Sequence, residues 1–272
     1  MLNISLKKAL TLTLLGSSMV TTNVVSAHDF WLLPSSTVLS GDNSWITVDA
    51  AVSNDKFHVN YRPLQLDNLV ITGPDGKPVQ AQNMFKGQMR SGFDVELTEP
   101  GTYQLALVNG GIAAFWKEDG KNRRWMGPAE KFDAEVPKTA EELRVTQRHS
   151  RIETFATRGK PTDIPVATEG LGLKPVTHPN DLYAGEPARF VVLLDGQPAA
   201  NIDVEVVRGA QRYRDTVEEI MVKSNAAGEV EITWPQAGQY WVHLEHSDDK
   251  TRVKQAKTRN LSYTATLEVL PQ

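Results

Sequence analysis

Apolar and polar residues alternate with a period of two along much of the chain, as in SWITVDAAV at residues 44–52 and GFDVEL at residues 92–97. This period is typical of β-strands with one buried face, whereas an amphipathic helix repeats every 3.6 residues. Turn residues interrupt the alternation about every 8–12 residues, as in all-β proteins. The pattern predicts an all-β protein built from short strands.

The alternating segments occur twice. GFDVELTEPGTYQLALVN at residues 92–109 aligns with GEVEITWPQAGQYWVHLEH at residues 228–246, allowing a gap of one residue. Two further pairs lie upstream in the same order, 73–79 with 193–199 and 39–52 with 183–195. A recurring order of landmarks indicates a duplicated unit. The strand pattern of each copy is typical of an immunoglobulin-like β-sandwich, in which Tyr103 and Tyr240 would form tyrosine corners.

The duplication predicts a domain organisation. We expect an N-terminal sandwich at residues 28–109, a loop-rich connecting insert at residues 110–176 and a C-terminal sandwich at residues 177–272. Thr139 and Glu142 have capping-box spacing, which predicts a short helix in the insert from about Ala140.

The insert also carries large aromatic residues. We expect Phe115, Trp116 and Trp125 to pack against the sandwiches, because large aromatic side chains are usually well buried. The alternative is an exposed surface that binds a sugar or a protein partner.

The first 27 residues have the pattern of a secretory signal peptide. Lys7 and Lys8 precede a short apolar run, and Val25-Ser26-Ala27 provides small residues for cleavage between Ala27 and His28. The apolar run is shorter than the roughly 20 residues that a bilayer requires. We therefore expect a periplasmic protein with no membrane insertion after cleavage.

The composition restricts the partners that the protein can bind and the ligands that a metal site can use. Removing residues 1–27, which contain two lysines and no acid, moves the formal charge from −4 to −6. An acidic chain disfavours a nucleic-acid partner. Cysteine is absent, so a metal site would use imidazole, amine and carboxylate donors, which suit nickel, cobalt, copper(II) or zinc. The sequence contains no recognisable hydrolase, kinase or nucleotide-binding motif, and we expect no enzyme activity.

His28 is distinctive among the six histidines. Cleavage before it creates an α-amine, and this amine and the ring Nδ1 can close a six-membered chelate around one cation. The two groups have pKa values of about 7.7–8.0 and 6.5, so both release their protons near neutral pH. One further imidazole would complete a three-nitrogen site. The candidates for this ligand are His178, ahead of the second sandwich, and His243, on the outward face of a strand with Trp241.

Three segments carry a family resemblance: AHDFWLLP at the mature start, VTHPNDLYAGEPARFVVLLDGQPA in the middle and YTATLEVLP near the end. They resemble the exported family of domain of unknown function 4198 over nearly the whole mature chain. The resemblance implies a sandwich fold and a periplasmic component of a cobalt or nickel uptake system, partnered by membrane subunits. It also points to His28 and His178 as motif positions.

Three functions follow from these observations. The first is metal binding by His28 in uptake or handling. The second is a non-catalytic module that binds a glycan or envelope partner. The third is a copper mono-oxygenase, because a similar terminal chelate occurs in lytic polysaccharide monooxygenases and in periplasmic copper carriers. The sequence gives no warrant for an oligomeric state.

Overall fold

The computed structural model describes residues 28–272, so the predicted signal peptide lies outside the described residues. Strands dominate, which confirms the all-β class. Numbered in chain order, they are β1 (Asp29–Pro34), β2 (Val38–Leu39), β3 (Ser44–Ser53), β4 (Arg62–Pro63), β5 (Leu69–Thr72), β6 (Gln82–Lys86), β7 (Ser91–Leu97), β8 (Gly101–Glu118), β9 (Lys121–Gly127), β10 (Glu141–Arg158), β11 (Leu171–Pro175), β12 (Pro187–Leu194), β13 (Gln197–Pro198), β14 (Asp203–Arg208), β15 (Ile220–Lys223), β16 (Glu229–Thr233), β17 (Gly238–Asp248) and β18 (Thr258–Val269).

Helical structure is short within this part of the chain. It consists of one α-helix, α1 (Phe132–Glu135), and two 3-10 turns at Ala129–Lys131 and Gln211–Tyr213. Across residues 28–272, no helix combines the length and apolar character needed to cross a membrane.

The strands form three sheets. The largest has nine strands in the order β15-β14-β17-β18-β10-β8-β5, with β2 beside β10 and β9 beside β8. A five-stranded sheet has the order β1-β3-β7-β6, with β4 beside β3. A four-stranded sheet has the order β11-β12-β13, with β16 beside β12.

The nine-stranded sheet forms one layer of each sandwich, and β10 contributes side chains to both cores. Ile152 and Ala156 of β10 lie in the core formed with the five-stranded sheet, whereas Phe155 lies in the core formed with the four-stranded sheet. Successive side chains of a strand point to opposite faces. The two sandwiches therefore stand on opposite faces of one sheet, joined by parallel pairing of β10 with β18.

The duplicated corners confirm the repeat. The Tyr103 hydroxyl accepts a hydrogen bond from the Glu99 backbone N–H at 2.8 Å and donates to the Glu99 carbonyl at 3.1 Å. The Tyr240 hydroxyl donates to the Gln236 carbonyl at 2.7 Å and accepts from its N–H at 3.4 Å. Both tyrosines are buried. Each copy thus has a tyrosine at the equivalent position that hydrogen-bonds the backbone of the turn before its strand.

The segment at 110–176 differs from the sequence-based picture. It contains a short helix, but at α1 rather than from Ala140, and strands β8 to β10 extend through residues 110–158. The helix prediction was wrong because residues 144–158 pair with β8 and residues 146–154 with β18, and this long-range pairing overrides a local capping pattern. Gly111 in β8, with a φ of 145°, permits the β9 backbone to approach, since a Cβ there would lie 2.8 Å from the Gly127 carbonyl oxygen.

Beyond the two sandwiches, β8, β9 and the start of β10 form an extension with its own small core. Trp116 and Trp125 pack against this core, which also includes buried Phe132 of α1. The two tryptophans are thus packed, as expected, but on this small core rather than on the sandwiches. Phe115 lies on the other face of β8 by strand alternation and is 43% exposed.

Candidate metal centre

Strand β1 fixes the start of the described chain between two sheets. Leu32 points into the N-terminal core, while Trp31 lies in a separate buried cluster with Val207 and Trp241 of the nine-stranded sheet. The Trp31 indole N–H donates to the Ser53 hydroxyl at 2.7 Å. Burying a side chain of this size contributes several kcal/mol. Strand β1 is therefore held against the outer face of β17.

Trp241 contacts both β1 and the candidate ligands. Its indole N–H donates to the Phe30 carbonyl at 3.1 Å. Its ring stacks on the His243 imidazole with the centroids 4.7 Å apart, and the Lys56 ammonium lies 4.6 Å from a Trp241 ring centroid. One side chain thus connects the N-terminal strand with the face that carries His243.

Two ion pairs that share Lys56 lie on the same face. The Lys56 ammonium lies 3.2 Å from an Asp29 carboxylate oxygen and 3.9 Å from one of Glu205, and the Lys56 and Asp29 side chains are only 12% and 13% exposed. Glu205 is the cross-strand neighbour of His243. Lys56 therefore links Asp29, the residue after His28, to the cross-strand neighbour of His243.

Burial and neighbouring charges shift the pKa values of Asp29 and Glu205 in opposite directions. Burial raises the pKa of Asp29, and the Lys56 ammonium and the charge on His243 oppose this rise. Burial likewise raises the pKa of Glu205, and Lys56 and His243 oppose this rise. Asp29 and His243 therefore lie close enough to influence each other electrostatically.

Both ring nitrogens of His243 have a polar neighbour. Its Nδ1 lies 3.0 Å from the Thr264 hydroxyl, and its Nε2 lies 3.2 Å from a carboxylate oxygen of the exposed Glu245. The hydrogen bond from His243 lowers the pKa of Glu245. As the sequence predicted, His243 shares its face with Trp241 and Glu245, and Val242 and Leu244 point inward.

The His243–Glu245 pair fits two positions of a metal coordination shell. Donors bound at about 2.0–2.2 Å and separated by 90–109° lie roughly 3.0–3.5 Å apart, and the observed separation is 3.2 Å. With Nε2 on a metal, the ring proton sits on Nδ1 and donates to Thr264. This is the arrangement in which a ligating histidine is usually oriented.

His28 lies at the edge of this face. Its imidazole stacks on the Tyr61 ring, with centroids 4.0 Å apart and planes inclined by 23°. The stack orients the His28 ring through a neighbouring loop rather than through β1 alone.

His178 lies in a different hydrogen-bond network. The Asn180 backbone N–H donates to its Nδ1 at 3.1 Å, and its Nε2 lies 3.0 Å from the Thr102 hydroxyl. Thr102 and Asn180 are further linked through the Thr157 hydroxyl. Burial lowers the pKa of His178, which favours the neutral ring. Its network shares no residue with that of His243, and metal binding at either ring nitrogen would require breaking the hydrogen bond which that nitrogen makes.

Side chains alone do not complete a site. Over residues 28–272, no group of three His, Cys, Asp or Glu side chains has the spacing of a metal site. His28, His243 and Glu245 therefore do not form such a group in this structure, and the pair of His243 and Glu245 supplies two donors on the face of β17.

Sequence reasoning missed Asp29, Lys56, Glu205 and Thr264. Asp29 follows His28 directly and was visible as its neighbour. The other three lie far apart in sequence and carry no local motif, so only the packing of β1 on the nine-stranded sheet brings them together.

A family model matches most of the chain. The family is described as Domain of unknown function (DUF4198), and the match covers residues 25–248. The chain belongs to this family, as the resemblance of its three segments implied.

Comparisons beyond the family are distant. No curated protein matches the chain. The D00-D0 domain of Intimin is 12% identical, covering 89% of this chain and 100% of that chain, with a TM-score of 0.21. A marsupial T cell receptor is 10% identical, covering 90% of this chain and 74% of that chain, with a TM-score of 0.20.

Proposed function

We propose that this member of the DUF4198 family is exported, cleaved between Ala27 and His28, and binds a divalent transition metal in the periplasm. The α-amine and Nδ1 of His28 supply two nitrogen donors, Nε2 of His243 supplies a third, and Glu245 supplies an oxygen. Nitrogen donors of this kind suit copper(II), nickel, cobalt or zinc. The role is metal uptake or handling, not catalysis, and its partners are membrane subunits of an uptake system.

One observation supports this proposal: β1, which begins at Asp29 directly after His28, packs on the face of the nine-stranded sheet that also carries His243. Asp29 and His243 influence each other electrostatically there, and Trp241 hydrogen-bonds β1 while stacking on His243. A terminal chelate needs a fixed terminus, because a fraying chain end would lose conformational entropy on binding. The anchored strand reduces that loss.

Lys56 tunes the charge of the proposed site. Its ammonium neutralises much of the charge on Asp29 and Glu205, so these carboxylates do not act as ligands while Lys56 is in place. The cation then binds mainly to nitrogen, which favours copper(II) and nickel over magnesium or calcium.

The test uses protein processed by the cell. The full chain is exported, purified from the periplasm and checked by mass spectrometry for His28 as the first residue, and its affinity for Cu²⁺ and Ni²⁺ is measured by competition titration. Loss of a group that merely orients a ligand already weakens a metal site about 10–100-fold. We expect His28→Ala, or an added Met before His28, to weaken binding at least about 100-fold, and His243→Ala at least about tenfold.

His246 provides a matched control. It lies three residues after His243 on β17, where its cross-strand neighbour is the core residue Leu261, so it points to the opposite face. His246→Ala should retain the affinity of the parent protein within about threefold. Equal affinities of the parent, His28→Ala and His243→Ala proteins would refute the proposed function.

A further inference from the structure

A second site lies in the extension of the nine-stranded sheet, on the face that carries Phe115. The pairing of β10 with β8 shifts register between Glu141 and Arg144, which leaves an extra residue in β10. Glu142 in this bulge has a φ of 51°, an uncommon conformation for a residue other than glycine. Bulges redirect side chains and often occur beside functional sites.

The bulge borders an open cleft of about 160 Å³. It is lined by Phe115 and Trp116 of β8, by the cationic or amide side chains of Lys117, Asn122, Arg123 and Arg144, and by Glu142 of the bulge. Its volume is below the roughly 300–1,000 Å³ typical of sites for drug-sized ligands. The cleft therefore suits a group as small as one sugar ring.

A row of three residues crosses the strands beside the cleft. Arg124 of β9, Phe115 of β8 and Arg144 of β10 are direct cross-strand neighbours, so their side chains share one face. All three are exposed. Arg148 and Met126 continue the same face, linked by a contact of 3.8 Å between the guanidinium and the Met126 sulfur.

The positive charge around the cleft is only partly neutralised. Lys117 pairs with Glu142 at 2.7 Å and Arg123 with Glu118 at 2.9 Å, and all four side chains are more than 40% exposed. Surface pairs of this kind contribute only about 0–1 kcal/mol and are easily exchanged. In the portion of the chain that the structure covers, Arg124 and Arg144 form no ion pair. A cationic face on a chain of negative net charge indicates an anionic ligand.

We propose that this cleft binds a carboxylated sugar residue, as in an acidic polysaccharide. The exposed Phe115 ring offers a flat apolar surface for the C–H face of a sugar ring. Arg144 is the cross-strand neighbour of Phe115 and also lines the cleft, and a guanidinium has paired N–H donors that match a carboxylate. A neutral sugar would leave the arginines unused, and an inorganic anion would leave Phe115 exposed, so the combination favours a uronic acid.

The test is calorimetric titration of the full mature protein. The ligands are a trimer of galacturonic acid, a neutral trimer of galactose, and inorganic phosphate. We expect the acidic trimer to bind at least tenfold more tightly than the neutral trimer or phosphate. Arg144→Gln and Phe115→Ser should each weaken binding of the acidic trimer at least tenfold, without changing the unfolding temperature by more than a few degrees.

Two matched variants serve as controls. Arg189→Gln removes an exposed arginine of β12, and Phe85→Ser removes a phenylalanine of β6 that is 45% exposed, close to the 43% of Phe115. Both controls should bind the acidic trimer like the parent protein. Equal binding of the neutral trimer, or equally tight binding of phosphate with the same dependence on Arg144, would overturn the proposal. So would acidic-trimer binding that Arg144→Gln and Phe115→Ser leave intact.

Discussion

Replacing Trp241 by Phe tests the contacts that hold β1 against the nine-stranded sheet. The substitution retains an aromatic ring in the buried cluster but removes the indole N–H that donates to the Phe30 carbonyl at 3.1 Å. It also weakens the contact of the indole with the Lys56 ammonium, now 4.6 Å from a ring centroid. The change therefore acts on the contacts that hold the N-terminal strand in place.

The expected loss of stability follows from these contacts. Leaving the partly buried Phe30 carbonyl without this donor costs about 1–3 kcal/mol, and a partly desolvated cation–π contact contributes about 0.5–2 kcal/mol. We expect Trp241→Phe to lower the free energy of unfolding by about 1.5–5 kcal/mol through these two effects. With a urea m-value of about 3 kcal/mol/M, the unfolding midpoint would fall by about 0.5–1.7 M.

Trp234 provides the matched control for the smaller ring. It is fully buried in the C-terminal core, and its indole N–H has no hydrogen-bond partner among the described residues. Trp234→Phe thus removes the same atoms without breaking a hydrogen bond. The experiment is urea unfolding of both variants, followed by fluorescence and circular dichroism, with Cu²⁺ affinity measured in parallel.

The two variants should differ in stability and in metal binding. We expect Trp241→Phe to be the more destabilising by at least about 1 kcal/mol and to weaken Cu²⁺ binding, while Trp234→Phe leaves the affinity unchanged. Equal midpoints for the two variants, together with an unchanged Cu²⁺ affinity of Trp241→Phe, would refute the reasoning.

Three further predictions concern charge and the repeated corners. Lys56→Met should lower the free energy of unfolding by about 1–3 kcal/mol and tighten Cu²⁺ binding, because it leaves two carboxylates without their cation; weaker Cu²⁺ binding would contradict this. Arg259 lowers the pKa of Asp248, so their ion pair stabilises the fold above about pH 4 and this stabilisation is lost as the pH falls through the lowered pKa. The urea midpoint of Arg259→Met should therefore be lower than that of the parent at pH 7 and fall less between pH 7 and pH 3; parallel pH profiles would count against it. Tyr103→Phe and Tyr240→Phe should each cost about 1–3 kcal/mol in urea unfolding, since each removes the same corner hydrogen bonds; a negligible loss in either would show that its corner is not stabilising.

The sandwiches and their corners were predictable because they follow local rules. Alternation with a period of two places Tyr103 and Tyr240 inward, and the repeated spacing shows that both turns have the same geometry. The same alternation correctly placed His243 on the outer face of β17. Each of these conclusions depends only on residues near one another in sequence.

The shared sheet was not predictable because it depends on distant pairing. The capping pattern at Thr139 and Glu142 favours a helix locally, yet β10 pairs with β8 on one side and β18 on the other. The ion pairs of Lys56 with Asp29 and Glu205 arise in the same way, since β1 reaches the face of β14 and β17 only after the sheets have packed.

The central claim is that His28 and His243 bind one metal ion. The most direct measurement is electron paramagnetic resonance of the Cu²⁺-loaded, cell-processed protein, with nitrogen couplings resolved by ¹⁵N-histidine labelling. We predict three coupled nitrogens in the parent protein, two in His243→Ala, and none from residue 28 when a Met precedes His28. The same set of nitrogen couplings in all three proteins would contradict the claim.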